Sequence, residues 1–215
     1  MKKHIVCLGD SNTHGSCADP RDSADGGIRY NEDERWTCRL QKHLGEDYLV
    51  LEEGLSGRTT CIDDPIHEGL SALPYLYPCL KSHEDVDLLI IMLGTNDLKH
   101  RFSATATDIS LALERMVKTA QAVDNYTSDK PFQILLVSPA EVLPKTFLGE
   151  VFGDRSGTTK EFPALFQAVA QRCGVHFLNI AAYAQPSELD GLHFDRENHK
   201  KVAAAMETKI REILG

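Results

Sequence analysis

The chain has 215 residues, 42% hydrophobic and 26% charged, the make-up of a globular protein long enough to bury a sizeable core. Its formal charge of −9 excludes a phosphate-binding face of clustered Lys and Arg, and so nucleic acid as a partner. No run reaches the ~18 apolar residues a membrane helix requires, and Ile5, Val6, Cys7 and Leu8 are too short an apolar stretch for a secretory leader.

Residues 3–8 form an apolar run of strand length that breaks off into Gly9-Asp10-Ser11-Asn12. A polar, glycine-containing stretch follows at 16–33. Residues 35–44 carry apolar side chains at helical spacing, with Trp36 and Leu40 toward the core, and 48–53 read as a second strand. The third strand is placed at 87–93, whose uninterrupted Leu88-Leu-Ile-Ile-Met-Leu93 suits a parallel strand covered on both faces. Ile109, Leu113, Met116, Val117, Ala120 and Val123 then form a helical stripe, and 132–138 the fourth strand. The stretch 142–159 mixes Pro, Gly, Phe147 and Phe152. A helix at 162–173, a fifth strand at 175–179 and an amphipathic helix at 200–214 complete the pattern. Six cysteines (7, 17, 38, 61, 79 and 173) include no C-x-x-C pair, so they read as reduced, mostly buried thiols in a cytoplasmic protein rather than as a zinc site.

Strands alternating with helices predict a single α/β domain over residues 1–215, with a five-stranded parallel sheet between two layers of helices. The irregular stretches 16–33 and 142–159 are expected to border a site or a subunit interface. In such a sheet ligands bind at the carboxyl ends of the strands. The first strand delivers Ser11 there, the second Gly57-Arg58-Thr59-Thr60, the third Asn96-Asp97, and the loop before the last helix Asp190 and His193.

Those residues are the parts of acyl transfer. A serine hydroxyl needs a base to take its proton, and a histidine base needs a carboxylate to orient it. Backbone N–H groups of Ser11 and Gly57 and the Asn96 amide suit a developing oxyanion, each such donor being worth about 10²–10³ in rate. Gly-Asp-Ser after the first strand, Gly after the second, Gly-x-Asn-Asp after the third and Asp-x-x-His near the C-terminus resemble the SGNH (GDSL-type) hydrolases. The stretches "EEGLSGRTT", "IDDP", "LIIMLGTND" and "DGLHF" resemble its arylesterase/acyltransferase (perhydrolase-like) branch more closely.

The resemblance implies a flavodoxin-like three-layer sandwich and a serine esterase acting on short acyl, mainly acetyl, esters, with acyl transfer as a side activity. It implies Ser11 as nucleophile, His193 as base, Asp190 as its orienting acid, and an oxyanion hole of Ser11, Gly57 and Asn96. No metal or organic cofactor is implied; the partners are a small acyl ester and, from the branch, other copies of the chain in a homo-oligomer. Asn12 departs from the family, which has Leu there, and His14 and Ser16 stand where the branch often carries bulky aromatics. A more polar entrance favours water over alcohol as acyl acceptor, and with it hydrolysis of O-acetylated carbohydrate as an alternative to aryl esters.

Other residues receive structural readings. Asp10 bonds its own turn, Asp97 braces its loop, and Gly57 satisfies a turn of positive φ. Arg58 is expected to pair with Asp63 or Asp64. His14, His67 and His100 read as surface or satisfied polar groups. A metal shared by His193 and His199 is set aside because no third ligand is apparent. A flavodoxin-like phosphate or cofactor module is the non-enzymatic alternative, but "GDSNTHG" lacks a Lys or Arg and leaves Asp190 and His193 without a role.

Overall fold

A computed structural model describes residues 1–126, 130–143, 149–153 and 155–215, and only the backbone of 149, 150 and 156. Five strands, β1 (Lys3–Gly9), β2 (Tyr48–Gly54), β3 (Leu88–Met92), β4 (Gln133–Ser138) and β5 (His176–Asn179), pair in the order β2-β1-β3-β4-β5. Every pairing is parallel. This is the doubly wound, flavodoxin-like arrangement, and its strand order reverses between β1 and β3.

The helices are α1 (Ser11–His14), α2 (Trp36–Leu44), α3 (Ala72–Ser82), α4 (Ala106–Gln121), α5 (Gly149–Phe152), α6 (Ser156–Thr159), α7 (Phe162–Cys173) and α8 (Arg196–Leu214). Because successive side chains on a strand point to opposite faces, the sheet splits its apolar residues between two cores. Val6, Leu8, Leu89, Ile91, Ile134 and Leu136 pack with residues of α3, α4 and α7. Ile5, Cys7, Leu88, Ile90, Leu135 and Val137 pack with residues of α2 and α8. All five residues of β3 are buried, as its unbroken apolar sequence requires. At about 1.5–3 kcal/mol per fully buried aliphatic side chain, this central strand is a main anchor of the sheet.

Local sequence sets the helix ends. Thr105 and Asp108 form a reciprocal capping box at the start of α4. Pro163 lies in the first turn of α7, where no intrahelical N–H bond is lost, and Gly174 closes it in the left-handed region. Asp195 caps α8 by accepting the Asn198 N–H at 2.7 Å. That helix starts at Arg196, ahead of the expected 200, because its first turn is polar and carries no apolar stripe. The helix α3 has no counterpart in the sequence reading. Pro74 and Pro78 argue against a helix there, yet Pro74 falls in the first turn and only Pro78 lies inside.

The stretch 16–33 is held down rather than loose. Ser16 bridges Arg29, the Tyr30 ring meets the His199 ring edge-on at 4.9 Å, and Asp22 accepts the Arg196 N–H at the start of α8. Within 142–159, Val142 and Phe152 are buried, while residues 144–148 and 154, Phe147 among them, lie outside the described residues. Among the described residues no helix is long and apolar enough to cross a membrane.

Candidate active site

At the carboxyl end of β1 the chain turns sharply into α1. Asp10 caps that single turn, its carboxylate accepting the Asn12 N–H at 3.0 Å, and Gly15 ends it at φ 87. Ser11 is thus the first residue of a short turn held at the edge of the sheet, and it is nearly buried. Close approach of β2 fixes the other side: Gly9 pairs with Gly54, and the Leu55 N–H donates to the Gly9 carbonyl at 3.1 Å. A Cβ on Gly54 would stand 2.2 Å from the His14 nitrogen, so only glycine fits against the serine's turn.

From the far end of the chain, the loop before α8 brings His193 to Ser11. The His193 Nε2 lies 2.9 Å from the Ser11 Oγ, and its Nδ1 lies 2.6 Å from the Asp190 Oδ2. The other carboxylate oxygen of Asp190 accepts the N–H groups of Leu192 and His193, at 2.9 and 3.0 Å. Burial raises the Asp190 carboxyl, but its bonds to His193 and the two N–H groups outweigh that and hold it below the usual carboxylate range. Asp190 therefore stands ionised beside the imidazole at neutral pH.

Gly57 sits at φ 86 in the turn after β2, which the Arg58 N–H closes onto the Leu55 carbonyl at 3.0 Å. Asn96 opens a 3₁₀ turn after β3 and is 5% exposed. The two turns are tied together by Thr60, whose N–H and hydroxyl both donate to Asp97, at 3.0 and 2.5 Å. Burial pushes the Asp97 carboxyl up to about 6 against the pull of those bonds, and burial likewise pushes Asp10 up to about 6. Ser11, Gly57 and Asn96 thus stand on consecutive turns beside the β1/β3 switch point, where α/β sheets bind their ligands.

A model of the GDSL-like lipase/acylhydrolase family matches residues 7–201. The chain belongs to that family. An aryl esterase of M. smegmatis is 35% identical, with 99% of this chain and 100% of that one aligned at a TM-score of 0.90. Est24, a carbohydrate acetylesterase from Sinorhizobium meliloti, is 31% identical, with 99% and 100% aligned at a TM-score of 0.90. No curated protein matches the chain significantly. The chain is a carboxylic ester hydrolase with the fold of the SGNH enzymes.

Several residues of this acylhydrolase stand where the sequence places them, and one does not. Asp10 and Asp97 serve their turns as expected. Arg58, however, pairs with neither Asp63 nor Asp64. Its guanidinium donates to the carbonyls of Gly9 (3.1 Å) and Glu53 and lies 5.0 Å over the Tyr75 ring. Asp64 is taken instead by Arg101 and by Lys99, the latter at 3.3 Å. Nothing local signals this pairing, because Lys99 and Arg101 follow the third block, far from Asp64 along the chain.

His199 is fully buried, its Nδ1 accepting the Trp36 N–H at 3.2 Å, and burial pushes its pKa down to about 3. It is a neutral core histidine. Another ligand-like group does form, from Cys79 on α3, His83 just past its end and Glu53 on β2, with ligand atoms within 4.8 Å of one another. Its donors are already committed: His83 meets one Glu53 oxygen at 2.6 Å, and the Tyr75 hydroxyl donates to the other at 2.8 Å. Burial and the Glu53 charge push the Cys79 thiol up to about 12, so it stands protonated. A groove of about 980 Å³ opens at the amino ends of the strands, lined by Lys3, His4, Asp87 and Gln133, at the opposite end of the sheet from Ser11.

Proposed function

We propose that this acylhydrolase is a serine esterase that removes short acyl groups, chiefly acetyl, through an acyl-enzyme on Ser11. The observation that carries the reading is the unbroken relay from the Ser11 Oγ through both nitrogens of His193 to Asp190, at 2.9 and 2.6 Å. The Ser11 oxygen attacks the acyl carbon while the His193 Nε2 takes its proton, and Asp190 stabilises the imidazolium that forms. The oxyanion is received by the N–H groups of Ser11 and Gly57 and the amide of Asn96. His193 then passes the proton to the leaving oxygen, and the alcohol or phenol departs. Water attacks the acyl-serine with His193 again as base, releasing the carboxylic acid and restoring Ser11.

The acceptor is water rather than alcohol, because the entrance is polar. His14 is half-buried there, and the Ser16 and Ser56 hydroxyls meet at 3.0 Å. The same polarity favours, as a second reading, an O-acetylated carbohydrate as substrate, and Est24 is described as an enzyme of that kind. The six cysteines are all unpaired, which suits a reducing, cytoplasmic setting. Homo-oligomeric assembly is part of the proposal, and a monomeric mass from light scattering would reject it.

The test is hydrolysis of p-nitrophenyl acetate, butyrate and octanoate by wild type and Ser11→Ala. Activity that fades with chain length and vanishes in the variant supports a short-chain serine esterase. Turnover that survives the substitution refutes it. Acetylated sugars cleaved in preference to aryl acetates would select the carbohydrate reading.

A further inference from the structure

The turn 190–193 is rigid within itself, since Asp190 bonds the N–H groups of Leu192 and His193 as well as the imidazole. What that turn cannot set by itself is its distance from Ser11, which lies 182 residues away in sequence. Bonds to neighbouring loops steady it: the Leu143 N–H donates to the Gly191 carbonyl, and the Ser187 N–H to the His193 carbonyl. Neither of those bonds involves the serine's own segment.

Asn12 does. It follows Ser11 directly and is 5% exposed. Its side-chain Nδ2 donates to the Leu192 carbonyl at 3.0 Å, and its Oδ1 accepts the Phe194 N–H at 2.9 Å. The two bonds bracket His193, gripping the backbone on either side of it as a neighbouring strand would. The grip is itself anchored, because the Asn12 N–H is held by Asp10 (3.0 Å) and its carbonyl by the Trp36 indole N–H (3.1 Å). A primary amide is suited to this, offering donor and acceptor on one small planar group. Leucine could make neither bond, and an ionised aspartate only the accepting one.

We propose that Asn12 is a positioning residue that sets the reach of His193 to Ser11, docking the Asp190–His193 turn as one body onto the segment carrying the serine. The proposal rests on the reading of Ser11 and His193 as nucleophile and base. Because the body moves as a unit, loss of the dock lengthens the Ser11–His193 contact and leaves the His193–Asp190 bond intact.

The test compares Asn12→Leu, which fills the space without either bond, and Asn12→Asp, which keeps the shape and the acceptor. Both are measured beside wild type and Ser11→Ala with p-nitrophenyl acetate. A misplacement of about 1 Å predicts a kcat lower by on the order of 10²-fold in Asn12→Leu, with KM nearly unchanged. A smaller loss is expected in Asn12→Asp, and labelling of Ser11 by an organophosphonate slows in parallel. The decisive readout is the acid limb of kcat/KM in Asn12→Leu. It stays at the wild-type pH while the amplitude falls, whereas general loosening of the loop would part His193 from Asp190 and move it. A folded Asn12→Leu enzyme within twofold of wild-type kcat, or a displaced limb, overturns the proposal; if the Leu variant does not fold, Asn12→Asp at wild-type kcat does so. Ser11→Ala at full activity would instead overturn the reading beneath it.

Discussion

Gly54→Ala carries the most informative single methyl group in the molecule. Its Cβ would stand 2.2 Å from the His14 nitrogen, 2.6 Å from the His14 Cα and 2.6 Å from the Thr13 carbonyl carbon. These are backbone atoms of α1, so no side-chain rotation relieves the overlap. Restoring an ordinary contact moves α1 from β2 by roughly 1 Å, and Ser11 belongs to that turn. A shift of that size at the nucleophile costs about 10²-fold in kcat/KM, or ~2.7 kcal/mol of transition-state stabilisation. Overpacking adds about 1–3 kcal/mol of lost stability. Gly45→Ala is the control: at φ 80 and ψ −161 it is strained by a comparable ~1–3 kcal/mol, but nothing lies within 4 Å of its Cβ. Urea unfolding and p-nitrophenyl acetate kinetics separate the two, since both variants lose stability and only Gly54→Ala loses rate. A Gly54→Ala enzyme with wild-type kcat/KM would refute the claim that this contact sets the serine.

Asp190→Asn should lower kcat by about 10⁴-fold while leaving a folded protein, because the amide no longer fixes the imidazole tautomer. Its pKa is depressed in the folded state, so the carboxylate's stabilising contribution is present above about pH 4 and fades as pH falls through the folded value. Wild type and variant should therefore converge in stability in acid, as urea titrations at several pH values would show. His199→Phe should flatten the acid side of the stability profile. The folded His199 resists protonation down to about pH 3, so as pH falls below 6.5 wild type loses stability at a rate approaching ~1.4 kcal/mol per pH unit near pH 5, a loss the variant is spared. Asp10 and Asp97, raised to about 6, gain stability in the same direction of pH, but in both proteins alike, and cancel in the difference. Equal slopes would refute the buried neutral imidazole. Asp64→Asn should cost on the order of 3 kcal/mol in chemical unfolding, because its side chain is fully buried and both Lys99 and Arg101 lose their counter-charge.

The strands were legible chiefly by length, as apolar runs too short for a helix and bounded by polar or glycine-containing turns. β3 shows this in five consecutive buried apolar residues, and each of the five strands falls within a residue or so of its expected run. The helix α7 stands at its expected bounds because its apolar period starts and stops with the helix. By contrast, α3 was hidden by prolines whose cost depends on where they fall in the turn, and α1 is too short to display any period. Within the site, order along the chain put Ser11, Gly57, Asn96, Asp190 and His193 at one edge of the sheet, and the resemblance to the SGNH hydrolases supplied their expected roles. The bonds that hold those residues in place have a different logic. Asn12 to Leu192 and Phe194, Thr60 to Asp97, and Lys99 to Asp64 each join segments distant in sequence, and each uses polar groups that would serve equally well in an isolated turn. Asn12 gave a sign all the same, as the residue that broke the expected Gly-Asp-Ser-Leu. A buried amide in an apolar position must find both a donor and an acceptor, and in this fold Asn12 finds them on the backbone that carries His193. The departure from the motif and the docking of the base are in this way one feature, and the kinetics of Asn12→Leu test both together.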